Sequence, residues 1–359
     1  MEASEVDLKV DLGGLAMRTP VATASGTFGY GPEYVGAIDY SRLGAVTAKG
    51  VRLGPWPGNP MPRHVEVLGG LVNAIGLQGP GVDAFLAHYV THYVRTVGSA
   101  CGAENVPPLI VNIWGGSIDE YAEVAKRLDA AAAASPSSPV KAIEMNVSCP
   151  NVKSGGHTFG QDPAVLAKVV AAVRLATRLP LIVKLAPNVP DVSLYVAACE
   201  ESGADALALI NTIPAMVIDV ETRRPVLGNV TGGLSGRCVH PVAVKAVWDA
   251  YRVTKLPILA MGGVYEPRDA VELMLAGATA VAVGTATFSD PSTAERVADG
   301  IAAYCARHGF PCARDVVGAA HPKEKTTRTK FLRRRPRRFA AAASTWCAAP
   351  PARRRANAC

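Results

Sequence analysis

The stretch AIEMNVSCPN (residues 142–151) starts as an apolar strand and ends as a polar cluster, with two asparagines, a serine, a cysteine and a proline in its last six positions. A strand that is apolar nearly throughout is covered on both faces, as parallel strands flanked by helices are. The same design recurs along the chain. Ala142–Val147 is one of eight such runs, the others being Val21–Ala24, Ala45–Ala48, Leu109–Ile113, Leu181–Leu185, Ala206–Ile210, Ile258–Met261 and Ala280–Val283. Between them lie segments of helical period: Val82–Val97, Ile118–Ala134, Asp162–Thr177, Asp191–Glu201, Pro241–Val253, Glu266–Leu275 and Thr293–His308. Several open on Ser or Asp and close near Gly, as helix caps require. The alternation predicts an α/β fold, a (β/α)8 TIM barrel, with a doubly wound sheet as second choice. Two segments stand outside the repeat. VDLKVDLGGLAM (6–17) turns about Gly13-Gly14 and predicts an N-terminal β-hairpin that plugs the barrel's lower end, and MVIDVETRRPVLGNVTGG (216–233) predicts a β excursion after strand six.

A barrel of this kind takes about 250 residues, so a chain of 359 could hold one large domain or two. Hydrophobic residues make up 49% and charged residues 19%, the composition of a globular protein with a sizeable core. The net charge of +7 hints at a polyanion partner until its location is considered. From His321 to Cys359 there are 12 Lys or Arg against Glu324 alone, so this tail carries +11 and the first 320 residues carry −4. The body therefore gives no electrostatic reason to expect nucleic acid. The expected organisation is one domain over 1–320 and a basic Arg/Ala/Pro-rich tail over 321–359 that reads as disordered, a nucleic-acid-binding arm being the lesser reading. Eight cysteines show no C-x-x-C pair, which argues against a disulfide framework, a metal site or a cluster site and fits a reducing cytoplasm. No export or membrane segment is legible: the start is acidic, and the longest uncharged run, Leu273–Ser289, is too short to span a bilayer.

Barrel chemistry gathers where strands end. The strands here run into Ser25-Gly26, Lys49-Gly50, Asn112, Asn146, Lys184, Asn211-Thr212, Gly262-Gly263 and Gly284-Thr285. The last two pairs follow strands seven and eight, where backbone N–H groups commonly hold a phosphate; two tight turns are the plainer alternative. Lys49 and Lys184 lie on or next to apolar strands, where an ammonium is costly to bury unless a carboxylate or an electron-rich ligand meets it. A positive charge there would stabilise a reduced, anionic ring system. Asn73, Asn112, Asn146 and Asn211 offer donors and acceptors with no charge, which suits a planar heterocycle with carbonyl and N–H edges. Cys149 lies beyond a strand end, before Pro150 and the glycine-rich NVKSGGHTFG, a loop able to close over a pocket. A buried cysteine is more often inert, but a thiolate here could take a proton from a carbon beside a carbonyl.

Ten segments together, ASGTFGYGPEY, TAKG, GNPMPR, VNAIGLQGPG, EMNVSCPNVKSGGHTFGQDP, VKLAPNV, INT, VTGGLSG, MGGV and AVAVGTATF, resemble in order and spacing the catalytic subunits of class 1B dihydroorotate dehydrogenases over about residues 5–318. The resemblance implies a TIM barrel that binds FMN at its strand C-termini and oxidises dihydroorotate to orotate in pyrimidine synthesis. It places the base on Cys149, which takes the C5 proton while hydride leaves C6 for flavin N5. It places substrate contacts on Lys49, Asn73, Gly76, Leu77, Asn146, Asn211 and Thr212. It places FMN contacts on Ser25, Gly26, Lys49, Gly50, Asn112, Asn146, Lys184, Ile210, Gly236, Gly262, Gly263, Gly284 and Thr285, with no metal. It further implies a homodimer joined in a heterotetramer to a second subunit that carries FAD and a [2Fe–2S] cluster and passes electrons to NAD. Cysteine at 149 argues against the membrane-associated class, where this position looks like serine and an N-terminal membrane segment precedes the barrel. Gly79, Met61 and the basic tail depart from the pattern. The alternative resemblance is to the dihydropyrimidine dehydrogenase module, another flavin barrel acting on pyrimidine rings with a similar N-x-S-C-P segment; a non-catalytic flavin barrel or a nucleic-acid-binding protein is the rival from another class.

Overall fold

The computed structural model describes residues 1–147 and 159–322. The loop that holds Cys149 and the tail from 323 onward, including the reading of that tail as disordered, lie outside the described residues. Eight parallel strands form one sheet: β1 (Val21–Thr23), β2 (Val46–Val51), β3 (Leu109–Ile113), β4 (Val140–Asn146), β5 (Leu181–Leu185), β6 (Ala206–Leu209), β7 (Ile258–Met261) and β8 (Ala280–Val283). Each strand pairs with its neighbour in sequence, β8 pairs with β1, and a parallel bridge between Ala22 and Ala45 closes the ring. Helices α1 (Thr91–Cys101), α2 (Ile118–Ala133), α3 (Pro163–Ala176), α4 (Val192–Glu201), α5 (His240–Tyr251), α6 (Pro267–Ala276) and α7 (Thr293–His308) pack outside. This is the TIM barrel that the alternating pattern predicts.

The caps operate as the sequence suggests. Side chains of Ser117, Asp162 and Asp191 accept N–H bonds in the first turns of α2, α3 and α4, and Gly277 and Gly309 end α6 and α7. Two boundaries differ from expectation. The second strand runs on to Val51, which puts Lys49 and Gly50 inside it. The segment predicted as Val82–Val97 continues to Cys101 and contains a π turn at Phe85–Val90. The β1–β2 connection holds only 3-10 turns, Pro32–Tyr34 and Tyr40–Arg42, so the first repeat lacks its α-helix.

Alternate residues of each strand face the barrel axis. Ala22, Ala45, Ile110, Ala142, Ile182, Ala208, Leu259 and Ala280 form an apolar interior together with Val10, Leu12, Leu15 and Met17. Those last four belong to a hairpin, Val10–Asp11 paired with Ala16–Met17, which is the predicted plug. Its tip presses on the barrel floor, where a Cβ on Gly13 would lie 2.3 Å from the Asp205 carbonyl oxygen. Leu12 and Met17 are sealed from water, and each contributes about 1.5–3 kcal/mol by that burial.

At the other end a four-stranded antiparallel sheet runs in the order Ile213–Met216, Thr231–Ser235, Gly70–Asn73, His64–Val67. The predicted excursion, 216–233, joins the first two strands and holds a short antiparallel pair of its own, Ile218–Asp219 with Arg224–Pro225. The hairpin 64–73 is an element that the sequence reading did not identify, although HVEVLGGLVN alternates about Gly69-Gly70 and carries a hairpin signal of its own.

Candidate functional site

Glu144 and Asn146 face the barrel axis from the end of β4, two residues apart and therefore on one face. Glu144 is fully buried, and three donors converge on its Oε1. The Asn112 amide on β3 donates at 2.6 Å, the Ser25 hydroxyl just past β1 donates at 3.0 Å, and the Lys184 ammonium on β5 sits at 3.3 Å. Lys184 also donates to Ser25 Oγ at 3.1 Å. Buried charge is tolerable only where it is paired and hydrogen-bonded, and Glu144 explains how Lys184 is carried on an apolar strand. Its Oε2 has no partner among the described residues. Sequence reasoning missed Glu144; the signal was a carboxylate between the apolar residues Ile143 and Met145 on a strand buried on both faces.

One level up, the Asn211 amide donates to Asn146 Oδ1 at 3.0 Å, and Asn211 Oδ1 accepts the Thr212 N–H at 2.8 Å. The Tyr121 hydroxyl of α2 holds the Asn146 carbonyl at 2.6 Å. Thr212 abuts Gly233 so closely that a Cβ there would overlap the threonine hydroxyl, and the Asn73 amide donates to the Gly233 carbonyl at 3.3 Å. Asn73, Asn146, Asn211 and Thr212 thus form one connected rim. Gly76 and Leu77 join it through their loop. Leu77, with φ +57°, lies beside Gly50: a Cβ on Gly50 would come within 3.1 Å of Asn112 Oδ1 and 3.3 Å of Leu77 Cδ2.

That loop is braced from outside by groups the sequence reading also passed over. The Trp56 indole N–H donates to the Gly76 carbonyl at 2.9 Å. The Arg52 guanidinium lies 4.9 Å from the Trp56 ring and 4.7 Å from the Trp114 ring, and it pairs with Glu120 at 2.7 Å. Burial works against the Glu120 carboxylate, yet Arg52 and the Gly116 N–H together hold its pKa below the ordinary value. Lys49 is half-buried, and burial first, then Arg63, lowers its pKa.

The glycine loops close the ring. A Cβ on Gly262 would meet Ile210 at 3.3 Å, and one on Gly263 would lie 2.5 Å from His240 Cβ and 3.1 Å from the Gly236 carbonyl oxygen. Thr285 Oγ1 donates to Ser235 Oγ at 2.8 Å, and Gly284 lies against Ala24. Among the described residues no atom lies within 4 Å of a Cβ on Gly26, so they leave open space in front of it. All the predicted residues other than Cys149 therefore sit at or beside the C-terminal mouth. The donor set fits a flavin mononucleotide: an ammonium, a hydroxyl and amides for a neutral polar ring, and glycine-lined loops without side chains for a phosphate. Among the described residues no cluster of His, Cys, Asp or Glu could hold a metal ion, and no helix is long and apolar enough to cross a membrane.

The family model of dihydroorotate dehydrogenase matches residues 7–304. The chain is 50% identical over 313 residues to the catalytic subunit of dihydroorotate dehydrogenase B (NAD(+)) of Geobacter sp. (strain M21), covering 87% of this chain and 98% of the relative. The like-named subunit of Geobacter sulfurreducens is 49% identical over the same shares. Among solved structures, dihydroorotate dehydrogenase from Eimeria tenella in complex with ferulenol superposes with a TM-score of 0.69 at 25% identity, over 88% of this chain and 89% of that one.

Proposed function

This chain belongs to the dihydroorotate dehydrogenase family, and we propose that it is the FMN-dependent catalytic subunit of an NAD-linked enzyme oxidising (S)-dihydroorotate to orotate in pyrimidine synthesis. The observation that carries this reading is the rim of Asn73, Asn146, Asn211 and Thr212 directly above the Lys184–Glu144 pair, in one barrel mouth. Amide donors and acceptors match the carbonyl and N–H edges of a dihydropyrimidine ring. The Lys49 ammonium answers the carboxylate that the ring carries. Tyr121 and the neighbouring Asn211 fix Asn146, so little ordering remains to be done when substrate arrives.

FMN, when bound, supplies the two-electron acceptor for the hydride leaving C6. Cys149 is the base: its thiolate takes the C5 proton as the C5–C6 double bond forms. Lys184 and Ser25 present a positive charge and a hydroxyl toward the ring system, and Gly262, Gly263, Gly284 and Thr285 seat the phosphate with N–H groups. Cytoplasmic location, a homodimer and a partner subunit carrying FAD and a [2Fe–2S] cluster complete the proposal; the catalytic-subunit names of the relatives support the partner.

The test is a visible spectrum of purified protein without oxygen. A flavin spectrum that bleaches on addition of dihydroorotate is expected; a spectrum bleached only by reduced nicotinamide with uracil would instead favour a dihydropyrimidine-type enzyme. Cys149→Ala should retain FMN and orotate and slow flavin reduction about 10²- to 10⁴-fold, and Cys149→Ser should fall between. Unchanged reduction kinetics in the alanine variant would remove the base assignment.

A further inference from the structure

We propose that Glu144 is a positioning residue of the redox site: its carboxylate fixes the Lys184 ammonium and offsets its charge, and so lowers the reduction potential of the flavin. The inference rests on the reading that FMN occupies this mouth. Glu144 has no role in binding or proton transfer in that reading, yet it is fully buried and draws donors from three other strand ends, Ser25, Asn112 and Lys184, onto one oxygen. Stability does not account for such an arrangement, because replacing a buried ion pair by apolar side chains of similar volume is often neutral or stabilising. A purely structural carboxylate would moreover be expected to have both oxygens satisfied, whereas Oε2 has no partner among the described residues.

The electrostatic consequence follows from charge. An uncompensated ammonium close to a flavin favours the electron-rich reduced form over the neutral oxidised one, and in a water-poor site that preference is strong. A carboxylate oxygen 3.3 Å from Lys184 Nζ opposes most of it. The reduced flavin is then less tightly held in its reduced state and passes electrons more readily to a low-potential acceptor, such as the nicotinamide in the names of the relatives.

The experiment poises holoenzyme against redox dyes and reads the reduced-to-oxidised flavin ratio in wild type, Glu144→Gln, Lys184→Met and the double variant. Glu144→Gln should raise the ratio at fixed poise about tenfold or more, a positive shift of about 30 mV per decade for a two-electron couple. Lys184→Met should lower it, the double variant should return toward wild type, and Glu144→Asp, which keeps the charge, should stay near wild type. A merely structural role predicts no such opposite signs. An unmoved or lowered ratio in flavin-loaded Glu144→Gln overturns the inference and leaves the proposed function standing, whereas wild-type protein without flavin would sink both. If Glu144→Gln does not accumulate folded, Lys184→Met decides: a lowered ratio supports the inference and an unchanged or raised one overturns it.

Discussion

Gly263→Ala should detach the cofactor phosphate without unmaking the barrel. Gly263 has φ +73°, and a Cβ there would lie 2.5 Å from His240 Cβ, 3.0 Å from His240 Cα and 3.1 Å from the Gly236 carbonyl oxygen. The left-handed backbone costs an alanine about 1–2 kcal/mol, and the overlap costs about 1–3 kcal/mol more. His240 has little freedom to yield, because its Nδ1 lies 2.9 Å from the Gly262 carbonyl oxygen and its Nε2 3.3 Å from Glu272. The loop must therefore move by its own backbone. If the whole of about 2–5 kcal/mol falls on that loop, FMN binds about 30- to 4,000-fold more weakly at 1.4 kcal/mol per decade. Gly309→Ala is the control: φ is +72° but no atom of the described residues lies within 4 Å of its Cβ, so only the backbone cost applies, as global stability and not as flavin affinity. Fluorescence titration of apoprotein with FMN, beside urea unfolding, separates the two. Gly263→Ala that binds FMN within a few-fold of wild type would refute the assignment of this loop to the phosphate.

Leu12→Ala in the barrel plug should cost about 2–5 kcal/mol of stability in urea unfolding with unchanged FMN affinity, since the fully buried Leu12 packs at the end opposite the mouth; a large affinity loss would contradict that separation. Lys49 has a pKa lowered first by burial and then by Arg63, so its charged form opposes folding, and the opposition fades as pH rises through the lowered pKa toward 10.5. Lys49→Met should therefore be more stable than wild type at pH 7, with the gap narrowing at about pH 10; a gap that widens would reverse the sign. Removing 323–359 should leave melting and flavin content unchanged, which treats the basic tail as dispensable to the domain. Cutting two residues earlier removes His321, which stacks on Trp248 at 3.6 Å and lies 2.8 Å from the Ala276 carbonyl oxygen; that loss should cost about 1 kcal/mol in the same unfolding assay.

The barrel was legible because its signal is local. Each parallel strand buried on both faces must be apolar along its length, and each helix must cap and turn within its own segment, so Leu181–Leu185 or Ala280–Val283 announces itself without knowledge of its neighbours. The plug was legible for the same reason, through alternation about Gly13-Gly14. The hairpin 64–73 is half-exposed and pairs with a segment about 160 residues away, Thr231–Ser235, and its place above the mouth follows from that pairing alone. The first connection, where no helical segment was predicted, is spanned by two 3-10 turns.

The site divides along the same line. Residue types at strand ends named the lysines, asparagines and glycines, because a barrel exposes those ends at one face whatever the details. Sequence determined which side chains could reach the mouth, and their polarity set the expectation of an electron-rich planar ring with an anionic end. Only the tertiary structure decided which of them touch: that Asn211 grips Asn146, that Trp56 and Arg52 brace the loop at Gly76, and that Glu144 takes the charge of Lys184. The physical reason is range, since apolar periodicity is written over a few residues, whereas Ser25, Asn112, Glu144 and Lys184 meet across four strands and up to 159 positions of chain, and only closure of the sheet into a ring brings them together.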